Sequence, residues 1–206
     1  MTSEWRTYSS ADFTPQQAYQ FLTRMVSPRP IALVSTLSKQ GAPNLAPFSF
    51  YMAGGANPPS ICISVARPRS AADKDTLANI KSTGEFCISV VTRQITEQAN
   101  LTSVELPHSA SEWEYSGLTP RDALIVKPPL VAESPLGVEC RLFQVVTHGS
   151  GVSSANYVIG EVVCFHIHQS IEHEGEINQS LVDYVGRLEG NTYVSTLGAR
   201  FSYERP

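Results

Sequence analysis

Apolar and polar residues change rhythm repeatedly along the chain, and each rhythm predicts an element. Thr14-Pro15 opens the first: a threonine caps well, and proline fits the first helical turn. Ala18, Phe21, Leu22 and Met25 then recur at helical spacing. Pro28 and Pro30 lie past the end of this helix. Residues 31–37 (IALVSTL) read as a strand, and its start is apolar at successive positions, as burial on both faces requires. Lys39-Gln40-Gly41 is a turn, and residues 44–52 (NLAPFSFYM) begin the next extended segment, broken by Pro47. Gly54, Gly55, Asn57, Pro58 and Pro59 predict a loop, and residues 60–65 another strand.

A second helix is expected over residues 74–83, capped by Asp73 or Asp75, with Leu77 and Ile80 facing inward and Gly84 ending it. Residues 85–91 return to a strand and residues 94–103 to helix. Residues 106–120 form a polar excursion with a capping box from Ser109 to Glu112. Strands resume at 136–147 and 157–168, and the tail, 172–193, sets a short apolar segment (181–185) among polar loops. Strands dominate and do not alternate regularly with helices, which excludes a doubly wound parallel sheet. The pattern predicts a mainly β fold with short helices, a closed and mostly antiparallel barrel that leaves no exposed edges. One domain is expected over residues 1–206, its core at about 14–195, with an excursion at about 92–122.

Composition narrows the partners. The 206 residues carry a net charge of −4 and no basic run, which argues against nucleic acid, although a local cluster can still hold a phosphorylated small ligand. Charged residues make up only 17%, a hint that a second subunit covers some apolar surface. Residues 1–10 are polar and lack the apolar core of a secretion signal, and no apolar run approaches a membrane span, so a soluble cytoplasmic protein is expected. Cys62, Cys87, Cys140 and Cys164 are far apart, each in an apolar, strand-like run, and are expected as reduced core residues.

Two clusters carry candidate chemistry. Arg29-Pro30, Ser35-Thr36 and residues 44–50 (NLAPFSF) bring hydroxyls, an amide and aromatics onto neighbouring extended segments. A flavin needs flat apolar walls and a few donors, and such sites are mostly apolar with placed polar groups; a hairpin with an ordinary polar face shows the same pattern. Arg67, Arg69, Lys74, Asp75 and Thr76 stand at a helix start, where free N–H groups and the dipole favour a phosphate; a solvated basic loop before a capped helix is the alternative. His166 and His168 alternate on one strand face and His148 lies nearby in sequence, but spacing fixes no third ligand, so no metal is expected.

Together these segments resemble the flavin reductase-like family, which includes flavoredoxins. The resemblance runs through SPRPIALVST (27–36), NLAPFSF (44–50), Asn57-Pro58-Pro59 and KDTLANIKSTGEF (74–86). It continues in ESPLGVEC (133–140), IGEVV (159–163) and RLEGNTY (187–193), in the family's order. It implies an FMN-binding split β-barrel, antiparallel and Greek-key-like, working as a homodimer with noncovalent FMN near the subunit interface. On this likeness Thr36, Asn44, Ala46, Pro47, Phe48 and Ser49, with Arg29 and Ser35 beside them, line the ring and ribityl chain. Lys74, Asp75 and Thr76 lie by the phosphate, and Asn100 and Arg187 close the site. The implied activity is that of an NAD(P)H:flavin oxidoreductase, with NADH or NADPH as electron donor and a small-molecule redox substrate. The chemistry would belong to the flavin, so no catalytic residue is named.

The chain departs from the family at two places. Some short-chain flavin reductases carry Gly-Asp-His, with the histidine associated with nicotinamide, where this chain has Gly160-Glu161-Val162. Relatives resembling flavoredoxins tend to have two glycines where this chain has Glu189-Gly190. The first departure keeps open a flavoredoxin-like electron carrier without direct NAD(P)H turnover. Two further alternatives are an FMN enzyme acting on an organic substrate beneath His108, Trp113 and Tyr115, and a binding module without turnover.

Overall fold

The computed structural model describes residues 4–70, 72–104, 106, 110–198 and 200–203. Helix α1 (Pro15–Met25) starts as its sequence dictates: the Thr14 hydroxyl accepts from the Gln17 N–H, and the Gln17 side chain returns a bond to the Thr14 N–H. Its apolar residues do not enter the core. Among the residues of α1 only Thr23 is buried, while Leu22 and Met25 are 54% and 79% exposed. Phe21 instead packs on Phe13, ring centroids 4.5 Å apart, and on Tyr8 of the N-terminal segment.

Seven strands build the main sheet: β1 (Ala32–Leu37), β2 (Pro43–Phe48), β3 (Tyr51–Ala56), β4 (Pro59–Ala66), β5 (Glu85–Val90), β6 (Leu136–His148) and β7 (Ala155–Ile167). Their order is β2-β1-β5-β6-β7-β4-β3 and every pairing is antiparallel. The two edges, β2 and β3, are consecutive strands joined by Ser49-Phe50, so the sheet curls until its ends approach. The Ser64 N–H of β4 reaches the Phe50 carbonyl at 2.8 Å. No ladder pairs the two edges, however, so the expected closed barrel is a sheet split along one seam.

The glycines at 54 and 55 correct the expected loop. They lie within β3, an exposed edge strand that pairs only with β4 and shifts register between Ala53 and Ala56, where a residue with no side chain to pack is tolerated. The turn is confined to Asn57-Pro58.

Alternation sets the interior. On β4, Ile61, Ile63 and Val65 point inward while Ser60, Cys62 and Ser64 are partly exposed. They meet Ala32, Val34, Phe48, Phe86, Ile88 and Val158. Helix α2 (Asp75–Thr83) covers this core with Leu77 and Ile80, and Gly84 ends it in a left-handed conformation at φ 74°. Gly160 of β7 lies under Phe86, whose ring a β-carbon there would overlap.

Leu33 and Leu45 point to the other face, so β1 is buried on both sides as expected. They pack with Ile95 and Ala99 near α3 (Thr96–Leu101), and with Trp113 of α4 (Glu112–Ser116). Fully burying one such leucine contributes roughly 1.5–3 kcal/mol. Ser111 caps α4 by accepting from the Trp113 N–H; the expected cap, Ser109, and His108 lie outside the described residues. After β7 the tail forms β8 (Val185–Arg187) and β9 (Tyr193–Ser195), and Arg29-Pro30 pairs with β8.

All four cysteines are free thiols. Cys87 and Cys140 are core residues, and burial pushes the Cys140 thiol up to about 12. Cys62 and Cys164 are only half-buried, because their strand positions face away from the interior. Among the described residues no helix is long and apolar enough to cross a membrane.

Candidate functional site

A groove of about 130 Å³ lies at the seam, where the two edges of the sheet come together. Pro47, Phe48, Ser49 and Phe50 form one wall, Ser64 and Ala66 of β4 another, and Tyr19, Lys74 and Arg187 its rim. Tyr19 and Phe50 place their rings 5.9 Å apart. The groove runs past Ile31, Pro47 and Arg187 into a smaller hollow bordered by Thr96, Asn100 and Tyr193. There the Tyr193 hydroxyl donates to Asn100 Oδ1 at 3.0 Å, and the Arg187 guanidinium lies 5.7 Å from the Tyr193 ring centroid.

Behind the groove is a buried network. Asn44 Nδ2 donates to Thr76 Oγ1 at 3.0 Å and to Thr36 Oγ1 at 3.3 Å, and Asn79 Nδ2 donates to Thr36 Oγ1 at 3.0 Å. Thr36 and Thr76 are almost wholly enclosed, so these hydroxyls tie the β1–β2 hairpin to the first turn of α2. The helix start differs from expectation. Lys74 is the capping residue, and its ammonium has no acceptor to offer the helix N–H groups, while Asp73 is engaged with Lys81 at 2.8 Å. Asp75 sits exposed in the first turn, where its charge complements the helix dipole. Among the described residues no side chain caps the first-turn N–H groups of α2, which follow Lys74 at the groove rim.

The remaining residues expected at the site have other duties. Arg29, 4% exposed, donates to the carbonyls of Thr23, Val26 and Leu188 and approaches Ser49 Oγ at 3.4 Å. It clamps the end of α1 and the tail against the groove wall, its charge disfavoured by burial. Ser35 donates to the Pro129 carbonyl, on the strand face opposite Thr36. Ala46 packs against the interior core. Thus Pro47, Phe48, Ser49, Lys74, Asn100 and Arg187 border the groove, and Thr36, Asn44 and Thr76 support it from behind. Phe50, within the candidate cluster 44–50, also borders it, as do Tyr19, Ser64 and Tyr193, which were not singled out from sequence. Phe50 and Tyr193 sit inside recognised segments; Tyr19 and Ser64 carry no local signal.

With this groove in place, comparison with known proteins is decisive: the flavin reductase like domain profile matches residues 24–191. The chain belongs to the flavin reductase-like family. An uncharacterized protein of Halalkalibacterium halodurans is 40% identical over 193 residues, covering 93% of this chain and 92% of the relative. Nitrilotriacetate monooxygenase component B from Bacillus cereus superposes with a TM-score of 0.91 at 30% identity, over 98% of this chain and 100% of that one. The Pseudomonas fluorescens 2-nitrobenzoate 2-nitroreductase NbaA gives 0.87 at 28% identity, over 98% and 96%.

The two departures from this flavin reductase-like pattern have clear structural outcomes. Val162 is 7% exposed and packs in the interior core, away from the groove lining. Glu189 pairs with Arg24 of α1, and the left-handed backbone falls on Gly190 (φ 55°), so no strain is imposed on Glu189.

The histidines do not assemble. His148 stands at the far end of β6, opposite Ala155, while His166 lies opposite Gly137 at the other end of the hairpin. His168 Nδ1 is engaged with Ser170 Oγ at 2.8 Å. His166 Nε2 instead meets Glu139 Oε1 at 2.6 Å. Glu139 is wholly buried, and its carboxylate accepts the N–H groups of Leu124 (2.7 Å), Ile125 (2.7 Å) and Val126 (2.8 Å). Burial acts to raise its pKa, but these bonds outweigh it and hold the carboxyl at about 2. Cys164 Sγ lies close enough to complete a ligand-like trio, yet a carboxylate has only about four lone-pair sites and Glu139 has used them.

Proposed function

We propose that this chain binds FMN noncovalently in the seam groove and acts as an NAD(P)H:flavin oxidoreductase-type redox protein, as a cytoplasmic homodimer. One observation carries the reading. The segments that define the family resemblance converge on a groove that sets proline and aromatic rings among polar groups, with Lys74 and Arg187 at its rim and a helix start whose capping residue makes no side-chain cap. Pro47, Phe48, Phe50 and Tyr19 suit a flat ring system. Lys74 and the first-turn N–H groups of α2 suit a phosphate, since both favour negative charge. When bound, FMN supplies reversible two-electron chemistry. The chain's own residues bind, orient and shield it, and no side-chain acid or base is required.

The groove's size supports the dimer. At about 130 Å³ it falls short of the roughly 300–1,000 Å³ of enclosed small-molecule sites, so one chain only cradles such a ligand. Leu22, Met25 and Val26 are exposed on α1, the helix that contributes Tyr19 to the rim, and a second copy seated there would close the site. A flavoredoxin-like electron carrier is the second reading, favoured by Val162, whose core position offers nothing to a nicotinamide.

The test is an FMN titration followed by anaerobic addition of NADH or NADPH. Bleaching of the flavin band by either supports the reductase. A bound flavin that ignores both but is bleached by dithionite supports the carrier, and no FMN binding overturns both. Light scattering that finds a monomer with FMN bound overturns the shared site.

A further inference from the structure

Away from the seam, a cleft of about 450 Å³ opens over the end of β7, bordered by Arg121, Ser134, Pro135, His166, Ile167 and His168. It continues past Ser134 and Pro135 into a hollow of about 330 Å³ and shares no lining residue with the flavin groove. Its size falls within the range of small-molecule sites.

Arg121 distinguishes this cleft from an ordinary surface hollow. Its backbone is fixed on both sides. The Glu133 carboxylate holds the Thr119 N–H at 3.1 Å just before it, and Glu139 holds the Leu124, Ile125 and Val126 N–H groups just after. Arg121 also pairs with Leu130 in a short two-stranded ladder. Yet its guanidinium has no carboxylate partner among the described residues, and its contact at the cleft is with His166 Nδ1, at 3.4 Å. Three carboxylates that border or back the cleft are already engaged: Glu139 as above, Glu133 with Thr119, and Asp183, in the farther hollow, with Ser195 Oγ, while the exposed Asp122 beside Arg121 makes no ion pair with it. A guanidinium fork with no carboxylate partner among the described residues thus borders a cavity that His168, Pro135 and Ile167 also line. Such a fork matches a carboxylate in two parallel bonds. A single guanidinium in a cavity with apolar lining suits a small organic acid better than a phosphate, which recruits several cations or a nest of N–H groups.

We infer that this cleft is a second ligand site, for a small organic monocarboxylate held by Arg121, with its apolar body against Pro135 and Ile167. The inference is independent of FMN binding. It is tested by calorimetric titration of the full chain with benzoate, benzamide and inorganic phosphate, each with and without FMN. Benzoate should bind with the same affinity in both conditions, and benzamide and phosphate at least about tenfold more weakly. Arg121→Gln should weaken benzoate by about tenfold or more, with the FMN affinity and the melting temperature unchanged. Arg121→Lys, which keeps the charge without the fork, should fall between them, and it serves if Arg121→Gln folds poorly. The inference is overturned if benzoate gives no binding, if benzamide or phosphate matches it, if FMN displaces it, or if the Arg121 variants bind it like the parent chain.

Discussion

The seam groove and the Glu139 cluster handle polar groups in opposite ways. At Glu139 every acceptor position is filled from within, so a wholly buried charge is held in place and does nothing but fix a loop. At the groove the hydrogen-bonded amides and hydroxyls of Asn44, Thr36 and Thr76 sit behind the wall, while Lys74 and an uncapped helix start face open space. A saturated polar cluster is scaffold; a site appears where donors are fixed and left without partners. The same contrast recurs beside Glu139 itself, where Arg121 touches only the far side of His166 and has no carboxylate partner among the described residues.

Removing the scaffold should have the largest effect. Glu139→Ala leaves three backbone N–H groups, that of Val126 buried, and the His166 imidazole without their buried acceptor and should cost roughly 3–5 kcal/mol of stability, read as a lower urea midpoint. An unchanged midpoint would mean that Glu139 does not hold residues 124–126 in place. Acid should act on the same residue. Its carboxyl titrates at about 2 in the fold against an ordinary 4.5, so its contribution is complete above about pH 4.5 and is lost as the pH falls towards 2. That loss amounts to at most about 3 kcal/mol, and a Glu139→Gln variant should lack this part of the acid dependence in pH-resolved denaturation.

The groove separates into layers by smaller effects. Thr76→Val removes an acceptor from the buried Asn44 amide and should lower stability by about 1–2 kcal/mol, while weakening FMN and riboflavin equally, because it loosens the wall. Lys74→Ala should leave stability unchanged and weaken FMN about tenfold, with riboflavin unaffected, because only FMN carries the phosphate. Equal losses for both ligands in Lys74→Ala would erase the distinction between wall and rim.

What could be read from sequence follows the range of the forces involved. The capping of α1 by Thr14 and Gln17, the doubly buried run of β1 and the stop at Gly84 are set by neighbours a few residues away, and they appear where expected. The apolar spacing of α1 predicts the helix but not its exposure, because helical spacing marks an apolar stripe without saying what covers it. The cap on α2 failed because Asp73 has a competing partner, Lys81, one helix length away. The groove was legible as a set of segments, but the division between Ser35 and Thr36, or Ala46 and Pro47, depends on which face of a curled sheet each occupies. Glu139 was invisible: a lone acid in an apolar run gives no sign of acceptor bonds to residues 124–126, which reach it only through the turn of the chain.

The seam also sets where the molecule can breathe. Six pairings stitch the seven strands into one continuous series, and the series is interrupted only between β2 and β3. Backbone amides on those two outer edges lack a cross-seam partner, so opening of the sheet begins there and spreads inward towards β6. A molecule seated in the groove touches the edge strand β2 through Pro47 and Phe48 and, through Ser64 and Ala66, β4, the strand beside the other edge. Its occupancy therefore sets the rate at which hydrogen exchange spreads from the edges into the whole sheet.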